Sequence, residues 1–302
     1  MLISLFAIAS NYKNIQHSVA YGDEKPFQAS DLSIIKVMSF NARIFDLYEY
    51  DDKKNHREDE IDFIKNEHPN IICIQEFYTS ENKIEKPYNT IKRLTEEVGY
   101  KYFHFYNSST LRKNDHWGMA IFSDFEIDES TDIDFGLHTE NEACYCDVKI
   151  HDKKYRIIST HLQSVYFGKQ DYKYLDNLKL ADDEDVNAGK RILRKLKRGF
   201  VRRAEQAERV ASIIGESPYP VILCGDFNDT PASYAYHTIS EKLQDNFLVA
   251  SKGIGTSYIS KFPFLRIDYM LTDKKLEVMK FKTMNEKIMS DHYPIMSWIK
   301  LN

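Results

Sequence analysis

Six short apolar runs in this chain each abut a side chain of a kind used in metal, phosphate or proton chemistry, and that repetition limits the folds open to it. The clearest is Val221-Ile222-Leu223-Cys224, followed at once by Gly225-Asp226-Phe227-Asn228-Asp229-Thr230-Pro231. Ile34 to Phe40 runs into Asn41-Ala42-Arg43, and Ile71 to Ile74 runs into Gln75-Glu76. Tyr155 to Thr160 leads to His161-Leu162-Gln163-Ser164, and Leu265-Arg266-Ile267 leads to Asp268-Tyr269-Met270-Leu271. Ser290-Asp291-His292 stands just before the apolar stretch Tyr293 to Ile299. Runs of this length rich in β-branched residues predict strands. Taken alone, the Gly225 to Pro231 segment is equally a tight turn, because Gly, Asn and Asp are turn formers and Pro closes it. Recurrence of one pattern at every strand end is not a property of turns.

Helical patterns separate the strands. Arg57 to Glu67 puts Ile61 and Ile64 on one face and stops before Pro69, and Asn89 to Val98 offers Ile91, Leu94 and Val98. Strands alternating with helices predict an α/β architecture. Side-chain alternation along a strand predicts Asp226 and Asn228 on one face with Phe227 turned into the core, and Arg43 on the same face as Asn41. The polar blocks spread from residue 41 to residue 292 with no Pro/Gly/Ser-rich linker between them, so one domain over 31–302 is expected, preceded by an N-terminal extension, 1–30.

Apolar residues at 42%, with 11 Gly and 8 Pro, describe a chain able to bury a core rather than a disordered one. A net charge of −5 gives no bulk electrostatic argument for nucleic acid. Cys73 and Cys224 sit inside apolar strands and read as core, while Cys144 and Cys146 lack the paired spacing and neighbouring His of a zinc site. No disulfide is assigned. Leu2 to Ala9 is apolar, too short to span a bilayer and without the basic start of a signal peptide.

The blocks NAR, QE, THLQS, GDFND, IDY and SDH, in this order from about Ile34 to Ile299, resemble the endonuclease/exonuclease/phosphatase superfamily of divalent-metal phosphohydrolases. The stretches SPYPVILCGDFNDTPASYAY and FPFLRIDYML resemble more narrowly a Bacteroidetes-type branch. The resemblance implies a four-layer α/β/β/α sandwich, two mixed β-sheets packed face to face and flanked by helices, as in deoxyribonuclease I-like enzymes. In that branch membrane helices often precede the catalytic domain. Leu2 to Ala9 is similar to the tail of such a segment, so membrane attachment is one reading of it and a core or docking segment the other.

Hydrolysis of a phosphate ester needs an activated water, neutralisation of the non-bridging oxygens and help for the leaving oxygen. Glu76 is the expected hard-oxygen ligand of Mg²⁺ or Mn²⁺, with Asn41 and Asp291 completing the protein share of a hydrated octahedral site. Asp226 is the expected base, and Asn228 donates to the nucleophile or a phosphoryl oxygen. By resemblance Asp268 orients His292 toward the scissile phosphate, and His161 supplies a second imidazole where abasic-site repair nucleases of the superfamily carry Tyr. Arg43 offers the fork that grips phosphate. Trp117-Gly118 matches a further family strand, where Gly permits close packing.

The segment 166–217 departs most from small family members and reads as a helical insertion. After Asp182-Asp183-Glu184-Asp185, nine Lys or Arg fall between Lys190 and Arg209. Leu193, Leu196, Phe200, Ala204, Ala207, Val210 and Ile214 recur at three or four, predicting an amphipathic helix with a basic outer face, interrupted at Gly199. That face is either a solvated covering surface or a contact for an anionic partner, a nucleic-acid backbone or a lipid headgroup. The expected activity is that of a metal-dependent phosphodiesterase or nuclease, with a phosphatase or phospholipase C-type hydrolase of lipid or inositol phosphates as the alternative. A catalytically dead binding module is disfavoured, because Glu76, Asp226, Asn228, Asp268 and His292 are all present.

Overall fold

The computed structural model describes residues 16–28, 30–48, 56–81, 88–111, 113–136, 141–165, 167, 168, 170, 171, 183–260 and 264–301. Leu2 to Ala9 and the stretch 172–182 lie outside the described residues. Along the chain run β1 (Ala20–Tyr21), β2 (Ile34–Asn41), α1 (His56–Glu67), β3 (Ile71–Ser80), the short helix α2 (Thr90–Arg93), β4 (Tyr102–Leu111), β5 (Asp115–Ser123), β6 (Glu126–Ile133), β7 (Glu142–Ile150) and β8 (Lys153–His161). There follow α3 (Asp183–Glu216), β9 (Val221–Asp226), α4 (Tyr234–Ser240), β10 (Leu243–Asp245), α5 (Asn246–Ala250), β11 (Lys252–Gly253), β12 (Asp268–Asp273), β13 (Glu277–Thr283) and β14 (Ile295–Lys300).

Two six-stranded sheets form, in the orders β10-β12-β9-β8-β7-β6 and β13-β14-β2-β3-β5-β4. Each is mixed: β2 and β3 run parallel, as do β8 and β9, and the other pairings are antiparallel. Alternation sorts the side chains. Ile35, Val37, Ile71, Cys73, Met119 and Ile121 of one sheet meet Cys144, Cys146, Val148, Ile157, Ile222, Cys224 and Met270 of the other in a common core. The opposite face of the first sheet, with Met38, Phe40, Ile72 and Ile74, is covered by Ile61 and Ile64 of α1 and by Leu94 and Val98. The opposite face of the second, with Ile158, Leu223, Tyr269 and Leu271, is covered by Ala207, Val210, Ile213 and Ile214 of α3. These four layers are the expected sandwich. All four cysteines are buried in β3, β7 and β9.

α1 begins and ends as its pattern predicts, and α2 is capped by Asn89, whose side chain accepts from the Lys92 N–H. Gly118 is required where β5 passes β4, because a Cβ there would collide with the Tyr106 carbonyl. α3 departs from expectation in two ways. It passes through Gly199 without interruption, the missing Cβ leaving room for Val165. In its earlier turns the buried stripe is also rotated: Ile192, Arg203 and Gln206 are buried, whereas Leu193 and Phe200 face outward, while Ala207, Val210 and Ile214 are buried as expected. The rotation follows from the polar anchors of the helix. Arg191 and Lys195 pair with buried Asp171, and Arg203 pairs with buried Asp229, so these residues rather than the leucines set the inward face.

Candidate active site

Parallel pairing within each sheet brings the C-terminal ends of β2, β3, β8 and β9 to one edge of the sandwich. β12 begins at that edge, and the loop before β14 returns to it. The even positions Ile222, Cys224 and Asp226 share the inter-sheet face, as do Val37, Ser39 and Asn41 on the facing sheet. The polar residues at these ends therefore meet across the crevice between the sheets.

Asp226 Oδ2 is the focus. It accepts from Asn41 Nδ2 at 3.1 Å and from Asn228 Nδ2 at 3.4 Å. His161 Nε2 lies 3.6 Å from it and His292 Nε2 lies 3.7 Å from it. Its other oxygen, Oδ1, accepts the Asn228 backbone N–H at 2.8 Å. His292 Nδ1 donates to both oxygens of Asp268, at 2.9 and 3.1 Å, which directs Nε2 toward Asp226. Asp268 is held in turn by its own backbone: its N–H and that of Ile267 donate to Ser257 Oγ. The ring of Tyr258 packs against His292 with centroids 4.7 Å apart.

Burial pushes the Asp226 carboxyl up to about 6, with Asp268 acting in the same direction and the imidazoles of His292 and His161 opposing. For His292 burial acts downward, but the carboxylates of Asp268 and Asp226 outweigh it and hold the imidazole up to about 10. The pair thus sets a buried carboxylate raised to about 6 beside an imidazole held above its usual range.

Glu76 reaches the site by a local irregularity. The β3–β5 register shifts between Ile74 and Phe77, and Glu76 has φ of +49°, so the extra residue turns its carboxylate out of the pleat into the crevice. Glu76 Oε1 accepts from Asn41 Nδ2 at 3.0 Å and lies 3.8 Å from His161 Nε2. Asp291 Oδ2 lies 3.6 Å from Arg43 Nε.

Two strand-face expectations need correction. β9 ends at Asp226, and Asn228 has φ of +51°; it returns to Asp226 through a left-handed turn rather than by alternation, while Phe227 is buried as expected. β2 likewise ends at Asn41. Arg43 opens a left-handed turn, Arg43 to Asp46, and is tied back by its N–H to Asn41 Oδ1 at 3.0 Å. In both cases a side-chain acceptor captures the N–H two residues on, which bends the chain off the strand.

The carboxylates of Glu76 and Asp291 are hard donors suited to Mg²⁺ or Mn²⁺, and Glu76 remains partly open to the crevice. Asn41 fits less directly, because its amide nitrogen faces Glu76 and Asp226 and its oxygen holds Arg43. Asp226, Asp268 and His292 also form a cluster of metal-capable atoms. Its imidazole Nδ1 is already bonded to Asp268, which leaves only Nε2 facing Asp226.

Residues given no role by the sequence reading complete the surroundings. Gln75, buried, donates to Ser159 Oγ at 3.1 Å and so ties the two sheets beneath Asn41. Arg203 joins Asp229 Oδ2 and the Gln163 carbonyl, each at 2.8 Å, and thereby braces the turns that follow Asp226 and His161. Its i, i+3 spacing with buried Gln206, which accepts from the Gln163 N–H, was the available signal. A cleft of about 380 Å³ opens beside Glu76 and His161, walled by Trp117, Ser108, Asn141 and Glu142.

Carboxylates and imidazoles at the strand ends thus converge in a crevice between two mixed sheets. The chain belongs to the endonuclease/exonuclease/phosphatase family, which it matches over residues 38–292. Among curated proteins none matches it. Among solved structures it is similar to a family protein from Bacteroides thetaiotaomicron, with a TM-score of 0.61 and 16% identity over 89% of this chain and 98% of that one. The catalytic domain of human Nocturnin, solved with a bound sulfate anion, gives 0.61 and 18% over 89% and 94%. A mannosyl-6-phosphatase from Bacteroides thetaiotaomicron gives 0.59 and 15% over 88% and 99%. At these identities the likeness is one of fold.

Proposed function

We propose that this protein hydrolyses phosphate esters with a divalent cation, Mg²⁺ or Mn²⁺, and prefers a diester. The observation that carries the reading is the convergence of Asn41, His161, Asn228 and His292 on one carboxylate oxygen of Asp226. Asp226 takes a proton from the attacking water as its oxygen bonds to phosphorus. Asn41 and Asn228 hold that carboxylate and donate toward the nucleophile. His292, kept cationic by Asp268, donates from Nε2 to a non-bridging oxygen as negative charge grows there. His161 gives a proton to the leaving oxygen as the phosphorus–oxygen bond breaks. Arg43, paired at the rim with Asp291, contacts the phosphate from outside. Glu76 and Asp291 would hold the cation, which supplies charge neutralisation at the phosphoryl oxygens when bound.

One observation favours a second reading, a phosphatase or phospholipase C-type hydrolase of lipid or inositol phosphates. Among the described residues lining the cleft there is no Lys or Arg, and Glu76 and Glu142 are both present. Such a wall suits a hydroxylated or apolar substituent better than a continuing polyanion. The test is turnover of bis-p-nitrophenyl phosphate, p-nitrophenyl phosphate, plasmid DNA, RNA and sphingomyelin with Mg²⁺, Mn²⁺ or EDTA, for wild type and Asp226→Ala. EDTA-sensitive hydrolysis lost on substitution is expected. Hydrolysis that survives both treatments would overturn the mechanism, and the substrate order separates the two readings.

A further inference from the structure

We propose that the stretch of α3 from Lys190 to Val201 is a docking face for an anionic lipid bilayer. α3 spans 34 residues, about 51 Å at 1.5 Å per residue, but its contribution to the main cores comes from Ala207, Val210, Ile213 and Ile214 near its C-terminal end. The earlier turns are held by polar anchors instead: Arg191 and Lys195 on Asp171, Arg202 on the Gln163 side chain, and Arg203 on Asp229. Anchoring by these cations rotates the helix so that large apolar side chains point outward. Leu193 is 66% exposed, Phe200 50% and Val201 51%.

Leu193, Phe200 and Val201 stand at i, i+7 and i+8, on one side of two helical turns. Lys190, Arg194, Lys197 and Arg198 are exposed among them and are not taken up by Asp171, Asp229 or Gln163. No Asp or Glu occurs between Asn187 and Ala204.

The mixture decides the partner. A nucleic-acid backbone would use the basic side chains and leave three large apolar ones in water. A second copy of this face would bring two cationic surfaces together. An anionic bilayer takes both components, the apolar side chains entering the headgroup and acyl boundary while the Lys and Arg heads meet lipid phosphate. Among the described residues no helix is long and apolar enough to cross a membrane, and the mixed basic and apolar face of α3 suits a helix lying in the interface.

The test is co-sedimentation of the full chain with phosphatidylcholine vesicles and with vesicles containing phosphatidylglycerol, at low and high salt. Three proteins are compared: wild type, Leu193→Ser/Phe200→Ser/Val201→Ser, and Arg194→Glu/Lys197→Glu/Arg198→Glu. Wild type is expected to bind the phosphatidylglycerol vesicles and to weaken with salt. The serine variant should lose at least tenfold, about the effect of burying one large apolar side chain. The charge-reversed variant should lose binding altogether. Both variants should keep the wild-type melting curve and hydrolysis of a soluble ester. Equal binding to neutral vesicles, undiminished binding by the serine variant, or binding to duplex DNA that the serine substitutions leave intact would each overturn the proposal. So would a dimer in solution that the serine substitutions dissolve.

Discussion

Arg203→Met tests whether the site is braced from behind by α3. Arg203 is 2% exposed; its guanidinium donates to Asp229 Oδ2 and to the Gln163 carbonyl, each at 2.8 Å. Asp229 is itself buried, and its other oxygen accepts the short-range N–H of Thr230. Removing the cation leaves a carboxylate and a carbonyl facing an apolar side chain. Breaking a buried pair from one side costs about 3–5 kcal/mol. With unfolding entropy of about 2.1 cal/mol/K per residue, a chain of 302 residues shifts by about 1.6 °C per kcal/mol, so melting should fall by roughly 5–8 °C. Urea unfolding followed by circular dichroism measures the loss. Asp229→Leu in the Arg203→Met background should recover part of it, because the orphaned charge is gone. Gln163 lies two residues past His161, and Asp229 follows Asn228. Well below the melting range, kcat should therefore fall more than KM rises. A loss under about 1 kcal/mol, or a double variant whose losses simply add, would refute the bracing argument.

His292→Ala should lower kcat at least about 10²-fold, as for loss of a single electrostatic stabiliser; activity within a few-fold of wild type would remove His292 from the mechanism. His161→Asn should lower turnover of esters with poor leaving groups more than that of p-nitrophenyl esters, and an equal loss on both would assign His161 to structure. Mg²⁺ at ten times its dissociation constant should stabilise the fold by about 1.4 kcal/mol in a thermal-shift titration, and Glu76→Gln should abolish the shift; an unchanged shift would place the cation elsewhere. Glu60 of α1 is buried with neither carboxyl oxygen hydrogen-bonded among the described residues, and burial raises its pKa well above 4.5, with Asp46 adding to the effect and Arg57 opposing it. The folded state therefore holds a proton that the unfolded state releases above about 4.5. Stability present below that pH should be lost as pH rises toward the raised value. Glu60→Gln should flatten this dependence and exceed wild type in stability at pH 8; parallel stability–pH curves for the two proteins would contradict it.

Much of the site's chemistry was readable from strand ends. Asp226, Asn41, Glu76, His161, Asp268 and His292 each follow or precede an apolar run, and all lie at one edge of the sandwich. Their local geometry was less readable. Alternation placed Asn228 and Arg43 on strand faces, but both strands stop before reaching them, because Asp226 and Asn41 accept the N–H two residues on and turn the chain left-handed. Glu76 enters the crevice through a register shift against β5, which no periodicity within β3 records.

Arg203 shows the same limit in α3. As one of nine basic residues it read as part of an outward basic face, whether solvated or meeting an anionic partner, yet it is among the most deeply buried side chains, and Leu193 and Phe200 are turned out in exchange. Helical periodicity ranks faces by apolar content, whereas the rotation of α3 was set by carboxylates at Asp171 and Asp229, residues outside the helix. By itself the sequence determined which side chains could bind a cation, move a proton or meet a phosphate, and that they would cap strands in an α/β sandwich, since those properties belong to single residues and to their nearest neighbours along the chain. Only the tertiary structure decided that Asn41 and Asp226, 185 positions apart, would share a hydrogen bond. Parallel pairing, inter-sheet register and the helix anchors act between segments distant in sequence, where no local pattern carries their outcome.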